Sequence, residues 1–591
     1  MSTSNDTSTV DAVNQAGNAG NTLNFGARLL ADNQTVFTLW APATAGVAVE
    51  LPNREPVPMT ALDGPRHGWY EATVDCGVGT LYRYQVSCED GSVLTVPDPA
   101  SRAQDGDVHD CSMVVDPHSY EWKNNDWRGR PWHETVLYEL HAGALGGFKG
   151  VAERLPALAA LGFTAIELMP IADFPGPRNW GYDGVLQFAP DSTYGTPDEL
   201  KAMIDTAHGL GLMVFLDVVY NHFGPDGNYI GVYAPPFFRD DIDTPWGKAI
   251  DFRRQEVRDF FTINAMYWLN EFRFDGLRFD AVHAITEQDW LPEVAQRVRA
   301  AVEPGRHVHL TLEHDENVVS FLERKGEETV EKCFDAQWND DGHHILHVML
   351  TGEQQGYYQD YADNQVERLA RCLGEGFVYQ GDPAVTRNGA LRGHNSKHLP
   401  PTAFVLFLQN HDQIGNRAFG ERLTQLTPPL ALRAASALLL LSPMIPMLFM
   451  GEESGATEPF MYFTSYPQEE LAVAVRDGRR QAFAEVPAFA TEAQQAMIAD
   501  PNLEEPFDIS IPDFETTNVW QTWTSRLLKL RHEHIIPRLH GAMSIGAKPI
   551  GPKAVAARWR MGDGAILTLM INLSFDSVPI DAMEYGAREH I

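Results

Sequence analysis

The rhythm of apolar and polar positions changes twice along this chain. From Asn24 to Val115 the apolar runs are short and alternate with polar residues, as in TVFTLW, VAVEL and LYRYQVS, where Tyr82, Tyr84 and Val86 oppose Arg83, Gln85 and Ser87. Period two with closely spaced Gly and Pro predicts a small antiparallel β-sandwich over residues 24–115, with Trp40 and Trp69 in its core. A sugar-stacking role is the alternative for these two tryptophans. Over residues 116–540 apolar strands alternate with amphipathic helices, the pattern of a parallel sheet with crossovers. Eight strands can be counted in order: TVLYELHA, FTAIELMPI, LMVFLDVVYNH, FDGLRFDAVH, HVHLTLEHD, FDAQWND, FVLFLQNHD and IPMLFMGEE. The intervening helices include VAERLPALAALG, TPDELKAMIDTAHGLG and RQEVRDFFTINAMYWLNEF, the second opening on Thr196 as N-cap with Glu199 at the capping-box position. Eight such units predict an α/β fold built on a (β/α)8 TIM barrel, with chemistry at the C-terminal ends of the strands.

Two further segments complete the outline. The stretch after the third strand, residues 223–252, is long and carries Tyr229, Tyr233, Phe237, Phe238 and Trp246, so it reads as a small lobe over the site. Residues 541–591 contain AVAARWRM and AILTLMINLS around a turn at Gly562 to Gly564, which predicts a small C-terminal β-domain. Residues 1–23 have neither the basic region nor the apolar core of an export signal and read as a disordered polar tail. Ala431 to Met450 is apolar enough to suggest a membrane span, but Arg433, Pro443 and Pro446 interrupt it, so a helix followed by a buried strand fits better.

Composition narrows the partners. With 80 acidic against 45 basic residues, a net charge of −35, the 591-residue chain repels phosphate backbones and anionic lipids. Nucleic acid and membrane partners are therefore excluded, and a neutral substrate fits. The five cysteines, Cys76, Cys88, Cys111, Cys333 and Cys372, form no ligand spacing and point to a reducing, cytoplasmic setting without a zinc site. The adjacent His343 and His344 do not share a helix face as metal ligands would, and no run of alternating oxygen ligands suggests calcium, so neither a metal nor a cofactor is expected.

The chemistry is written at the strand ends. Arg278 and Asp280, two residues apart on the fourth strand, point to one face of an otherwise apolar run. Taken alone they read as a structural ion pair. Other strands, however, also finish in polar residues: Asp217, Asn221 and His222 on the third, Glu313 and His314 on the fifth, Asn339, Asp340 and Asp341 on the sixth, and Asn410, His411 and Asp412 on the seventh. Asp280, Glu313 and Asp412 would converge across the barrel mouth. Two carboxyl groups about 5–5.5 Å apart, one ionised and one protonated, suffice for retaining glycoside hydrolysis. Arg278 favours the ionised form of Asp280, which suits a nucleophile; Glu313 and Asp412 remain interchangeable as the acid on charge alone.

DVVYNH at 217–222, GLRFDAVH at 276–283, TLEHDEN at 311–317 and FLQNHD at 407–412 resemble the four signature blocks of the α-amylase family of glycoside hydrolases. The resemblance implies Asp280 as nucleophile, Glu313 as acid/base and Asp412 as the carboxylate that holds hydroxyls of the distorted sugar. It further implies Arg278 as partner of Asp280, His222 and His411 as hydroxyl ligands, and Tyr182 with Asp183 at the same sugar. ELMPIADFPGPRNWGYDGV, TPWGKAIDF, AQWNDDGHH and LLLLSPMIPMLFMGEE are similar to segments of the maltooligosyltrehalose trehalohydrolase family, across nearly the whole chain. That likeness implies release of trehalose from maltooligosyltrehalose and related α-glucans, after a maltooligosyltrehalose synthase as functional partner, and places trehalose selection near Trp246 and the Trp338, Asp340, Asp341 turn. AIDFRRQEVRDF departs from the pattern at the edge of the site. A 1,4-α-glucan branching enzyme is the rival within enzymes, and a non-catalytic glucan-binding barrel is the rival of another class, disfavoured because all three carboxylates are present.

Overall fold

The computed structural model describes residues 25–88, 90–324, 334–484, 486–514 and 518–579. The expected polar tail and Cys333 lie outside these residues. Two antiparallel sheets form the N-terminal part: Gly26–Leu29, Thr35–Trp40, Trp69–Val74 and Thr60–Ala61 make one, and Val57–Pro58, Gly46–Glu50, Leu81–Ser87 and Val93–Val96 the other, with Ser112–Met113 added to Leu81–Ser87. Alternation sets the faces: Tyr82, Tyr84 and Val86 are fully buried between the sheets while Arg83, Gln85 and Ser87 face outward. Trp40 and Trp69 are buried too, which removes the sugar-stacking alternative.

The barrel closes with eight parallel strands, β1 (Leu137–Leu140), β2 (Ala165–Leu168), β3 (Met213–Val218), β4 (Gly276–Phe279), β5 (His309–Leu312), β6 (Ala336–Trp338), β7 (Phe404–Phe407) and β8 (Ile445–Phe449), with β8 pairing back to β1. Each lies inside the run that sequence periodicity assigns to it. Leu137, Ala165, Met213, Phe215, Val405, Phe407, Ile445 and Met447 fill the lower interior as one apolar cluster. β4 begins with glycine for a steric reason: a Cβ at Gly276 would lie 1.9 Å from the Phe215 ring. The helices follow the same logic. Pro197–Gly209 carries both halves of the Thr196–Glu199 capping box, and Gly147–Leu161 ends on Gly162 at φ 109°, a left-handed cap that suits glycine. The stretch resembling a membrane span is the helix Pro429–Leu441 followed by β8, and among the described residues no helix is long and apolar enough to cross a membrane.

The lobe after β3 folds as a helix, Ile230–Tyr233, and a hairpin, Phe238–Thr244 with Gly247–Ile250. The sandwich braces it. Trp40 packs on Phe237, the Ala43 amide donates to Tyr233 O, and His109 meets Tyr229 Oη at 2.7 Å and Asp226 at 3.0 Å. Residues 543–572 form a three-stranded antiparallel sheet whose Met561–Ala565 turn spans the expected glycines. Two insertions carry no warning in the pattern: the short hairpin of Asp382–Pro383 and Leu391–Arg392, and the helical segment from Glu469–Ala482 to Glu504–Asp508.

Candidate active site

The C-terminal ends of β3, β4 and β5 meet on one guanidinium. Arg278, fully buried, donates through Nη1 to Asp217 Oδ2 and Asp280 Oδ1 and through Nη2 to Glu313 Oε2, each at 2.7 Å. The Trp338 ring lies under it, with its centroid 4.1 Å from the guanidinium carbon. Charge-assisted bonds of this length fix both Asp280 and Glu313 to one planar fork. Asn221 Nδ2 holds the far side of Asp280 at 3.0 Å. Ala281, immediately after Asp280, adopts φ 39°, a left-handed conformation that costs an alanine about 1 kcal/mol. Its amide thereby donates to Glu313 Oε2 at 3.0 Å, so the strain serves the pair.

These surroundings drive the two carboxyl groups apart. Burial opposes charge on Asp280, but Arg278, His222 and the Asn221 bond overcome it and hold its pKa below the ordinary 3.8. At Glu313 burial wins against Arg278, aided by Asp280, Asp340 and Asp412, and its pKa stands well above the ordinary 4.5. One ionised and one protonated carboxyl side by side is the state required for attack on an anomeric carbon with protonation of the leaving oxygen. Asp412, more than a third exposed, lies beyond β7 next to His411, whose Nε2 is 3.6 Å from it.

His411 is itself buried, its Nδ1 2.5 Å from Glu139 Oε1, and the Tyr182 ring stacks on it at 4.9 Å while Tyr182 Oη donates to Asp217 Oδ2 at 2.6 Å. Against burial, Asp412 and Glu139 raise the His411 pKa to about 9, so the imidazole is a cation. His222 Nε2 sits 2.9 Å from Tyr182 O, and Trp246, at the tip of the lobe hairpin and 48% exposed, stacks on His222 at 4.9 Å and 14°. Asp183 accepts from Asn179 Nδ2 at 2.6 Å. Asp340 opens the helix after β6, where burial raises its pKa to about 7.

Two expected substrate contacts stand behind the cleft rather than in it. Trp338 is buried beneath Arg278, as described. Asp341 is fully buried and fully bonded: it accepts from the Val378 and Tyr379 amides at 2.7 and 2.8 Å, from Asn317, from Tyr361 and from Arg392. Its lone pairs anchor the loops that follow the fifth and sixth strands, leaving none for a sugar. His343 and His344 lie in an aromatic cluster with Tyr357, Tyr358 and Tyr361, and among the described residues no group of three or more His, Cys, Asp or Glu side chains is placed to hold a metal. Sequence reasoning passed over Glu139 and Glu167. Both are single charges inside apolar runs, YEL and IEL, the same signal that drew attention to Arg278.

Known proteins resemble this chain over most of its length. Residues 105–232 match the alpha-amylase catalytic domain family, and residues 24–101 match carbohydrate-binding module 48, the isoamylase N-terminal domain. The malto-oligosyltrehalose trehalohydrolase of Saccharolobus solfataricus is 38% identical over 87% of this chain and 87% of its own. That of Deinococcus radiodurans is 41% identical over 80% and 76%. A 1,4-alpha-glucan branching enzyme of Corynebacterium diphtheriae matches only 44% of this chain and 39% of its own, at 34% identity. Among solved structures, a Salmonella typhimurium protein named as a candidate alpha amylase superposes with a TM-score of 0.86 at 42% identity, over 94% of this chain and 95% of that one.

Proposed function

The chain belongs to the malto-oligosyltrehalose trehalohydrolase family of alpha-amylase-type glycoside hydrolases, and from that premise we propose how its site works. The substrate is an α-1,4-glucan ending in trehalose, and the bond hydrolysed is the one next to that unit, releasing trehalose and a maltooligosaccharide. The reaction retains anomeric configuration. Asp280 attacks the anomeric carbon while Glu313 passes its proton to the glycosidic oxygen, so that trehalose leaves and a glycosyl ester remains on Asp280. Glu313, now ionised, takes a proton from water, and the hydroxide attacks the same carbon and frees Asp280. Asp412 holds hydroxyls of the distorted ring, Tyr182 and His411 flank it, and Trp246 with His222 offers a stacking surface toward the leaving trehalose.

The observation that carries this reading is the single guanidinium that grips both Asp280 and Glu313 while their surroundings push their proton affinities in opposite directions. We place the reaction in the cytoplasm, after a synthase that converts the glucan end to a trehalosyl unit; the thiols of Cys76, Cys88, Cys111 and Cys372, all free, are in keeping with a reducing compartment. Incubation with maltotriosyltrehalose tests the proposal. Free trehalose and maltotriose in equal amounts are expected; chain transfer into branched glucans with no free trehalose would replace it with the branching reaction.

A further inference from the structure

A polar layer lies between the apolar floor of the barrel and the cleft. Side chains two positions apart on a strand share a face, so Glu139 follows Leu137 inward, Glu167 follows Ala165, and Asp217 follows Phe215. Glu139 and Glu167 are direct partners in the β1–β2 register, and Arg278 is the partner of Asp217 in the β3–β4 register. All four side chains are buried.

Three of the four have at least one bonded partner. Glu139 bonds the His411 ring, Asp217 Oδ2 accepts from Tyr182 and Arg278, and the Arg278 terminal nitrogens are committed to Asp217, Asp280 and Glu313. Glu167 is 1% exposed and both of its oxygens bond nothing. Asp217 Oδ1, on the neighbouring strand, is likewise buried without a donor. The Arg278 Nε bonds nothing either, Glu167 included, and His411 is taken by Glu139 and Asp412. An ionised carboxylate in this position would be an uncompensated buried charge among carboxylates, which proteins avoid by binding a proton.

We propose that Glu167 stands as a neutral carboxylic acid whose O–H supplies the donor that Asp217 Oδ1 lacks, which makes it a positioning residue for the Arg278 clamp. The charged groups that act on it are Glu139 from β1, Asp217 from β3, Arg278 from β4, and His411 beyond β7. Burial, then Asp217 and Glu139, push its pKa well above the ordinary 4.5, with Arg278 and His411 opposing. The benefit falls on Asp217. Burial raises that carboxyl to about 6, close to neutrality, and a donated hydrogen bond keeps it charged and so keeps Arg278 drawn between Asp217 and Asp280.

Glu167→Gln tests the assignment, because the amide is isosteric with the neutral acid and retains a donor. The variant is expected to keep kcat/KM on maltotriosyltrehalose within about threefold and to keep the pH profile, while the wild-type minus variant infrared spectrum at neutral pH shows the C=O stretch of a buried carboxylic acid. Glu167→Leu, or Glu167→Met where leucine does not fold, removes the donor; its kcat/KM should fall about tenfold or more, with the acid limb displaced upward as Asp217 protonates. A Glu167→Gln chain that loses tenfold in kcat/KM, fails to fold, or gives no carbonyl difference overturns the proposal, as does a leucine variant with the wild-type profile. The role at Arg278 rests on Asp280 being the nucleophile, whereas the infrared difference does not. A chain inactive on the trehalosyl substrate that still shows the carbonyl difference would therefore remove the functional reading and leave the protonation state standing.

Discussion

At the scale of single residues, the proposed reaction rests on two carboxyl groups of similar intrinsic acidity held in opposite protonation states. Asp280 and Glu313 touch the same guanidinium, so what separates them is the rest of each shell. Asp280 has Asn221 and His222, whereas Glu313 is buried toward the further acidic groups Asp340 and Asp412. Glu313→Gln should lower turnover of maltotriosyltrehalose by about 10²–10⁴-fold, the usual contribution of a general acid, and abolish the alkaline limb of the pH–rate profile. On an aryl glucoside whose leaving group needs no proton, the same variant should form glycosyl-enzyme at nearly the wild-type rate, seen as a burst of released phenol. Asp280→Asn should show no burst on either substrate, and a burst there would exchange the two roles. His411 yields a second prediction, on stability. Its pKa rises from 6.5 to about 9 on folding, so the stabilisation from its pairing with Asp412 and Glu139 is complete below pH 6.5 and is lost as pH rises through about 9. The loss is on the order of 3 kcal/mol. Denaturant unfolding from pH 6 to 10 should show this decline in the wild type, and the decline should be smaller by that amount in His411→Gln, whose amide bonds Glu139 at every pH.

At the scale of elements, the decisive arrangement is a lobe hairpin that hangs Trp246 over His222 while its base is braced by the N-terminal sandwich through Trp40, Ala43 and His109. The two tryptophans therefore predict different phenotypes. Trp246→Ala should leave the melting temperature within about 1–2 °C and raise KM about tenfold, the size of one aromatic stacking contact. Trp40→Ala should cost about 3–5 kcal/mol in folding stability, because its ring fills the core at the lobe junction. Equal loss of stability in both would mean that Trp246 packs the lobe instead of serving the cleft. The eight strands were legible because each is a short apolar run set between amphipathic helices, and the barrel mouth because the third to seventh of them finish in polar residues. Side-chain direction past the strand end was not legible. Asp340 and Asp341 are adjacent in sequence, yet the helix that starts there turns Asp341 into the protein, where the Val378 and Tyr379 amides saturate it. Trp338 was misplaced for a related reason. As the last residue of β6 it points to the barrel axis, but its ring is buried against Arg278 and not open to the cleft. Glu139 and Glu167 could have been found by asking of YEL and IEL what was asked of the Arg278 run: why a charge sits in a buried strand.

At the scale of the whole molecule, a net charge of −35 surrounds a site whose substrate is uncharged. Charge on that scale repels itself within the folded chain, and it repels polyanions, but it exerts no long-range pull on a neutral glucan. Two salt dependences should therefore separate. Raising ionic strength from about 10 mM to 1 M shortens the screening length from about 30 Å to 3 Å, which relieves the mutual repulsion of surface carboxylates and should raise the melting temperature. The proposed catalytic groups are insulated from that change: Arg278, Asp280 and His411 are buried, and buried pairs are screened far less than exposed ones. Over the same range kcat/KM for maltotriosyltrehalose should consequently vary less than about twofold, since neither encounter nor the Asp280–Arg278–Glu313 clamp depends on charges that salt can reach. A steep fall of kcat/KM with salt, at temperatures well below unfolding, would mean that exposed ionic contacts shape the cleft. The first to examine would be the Arg387 pairs with Asp315 and Glu316, which bridge the loop after β5 to the inserted hairpin.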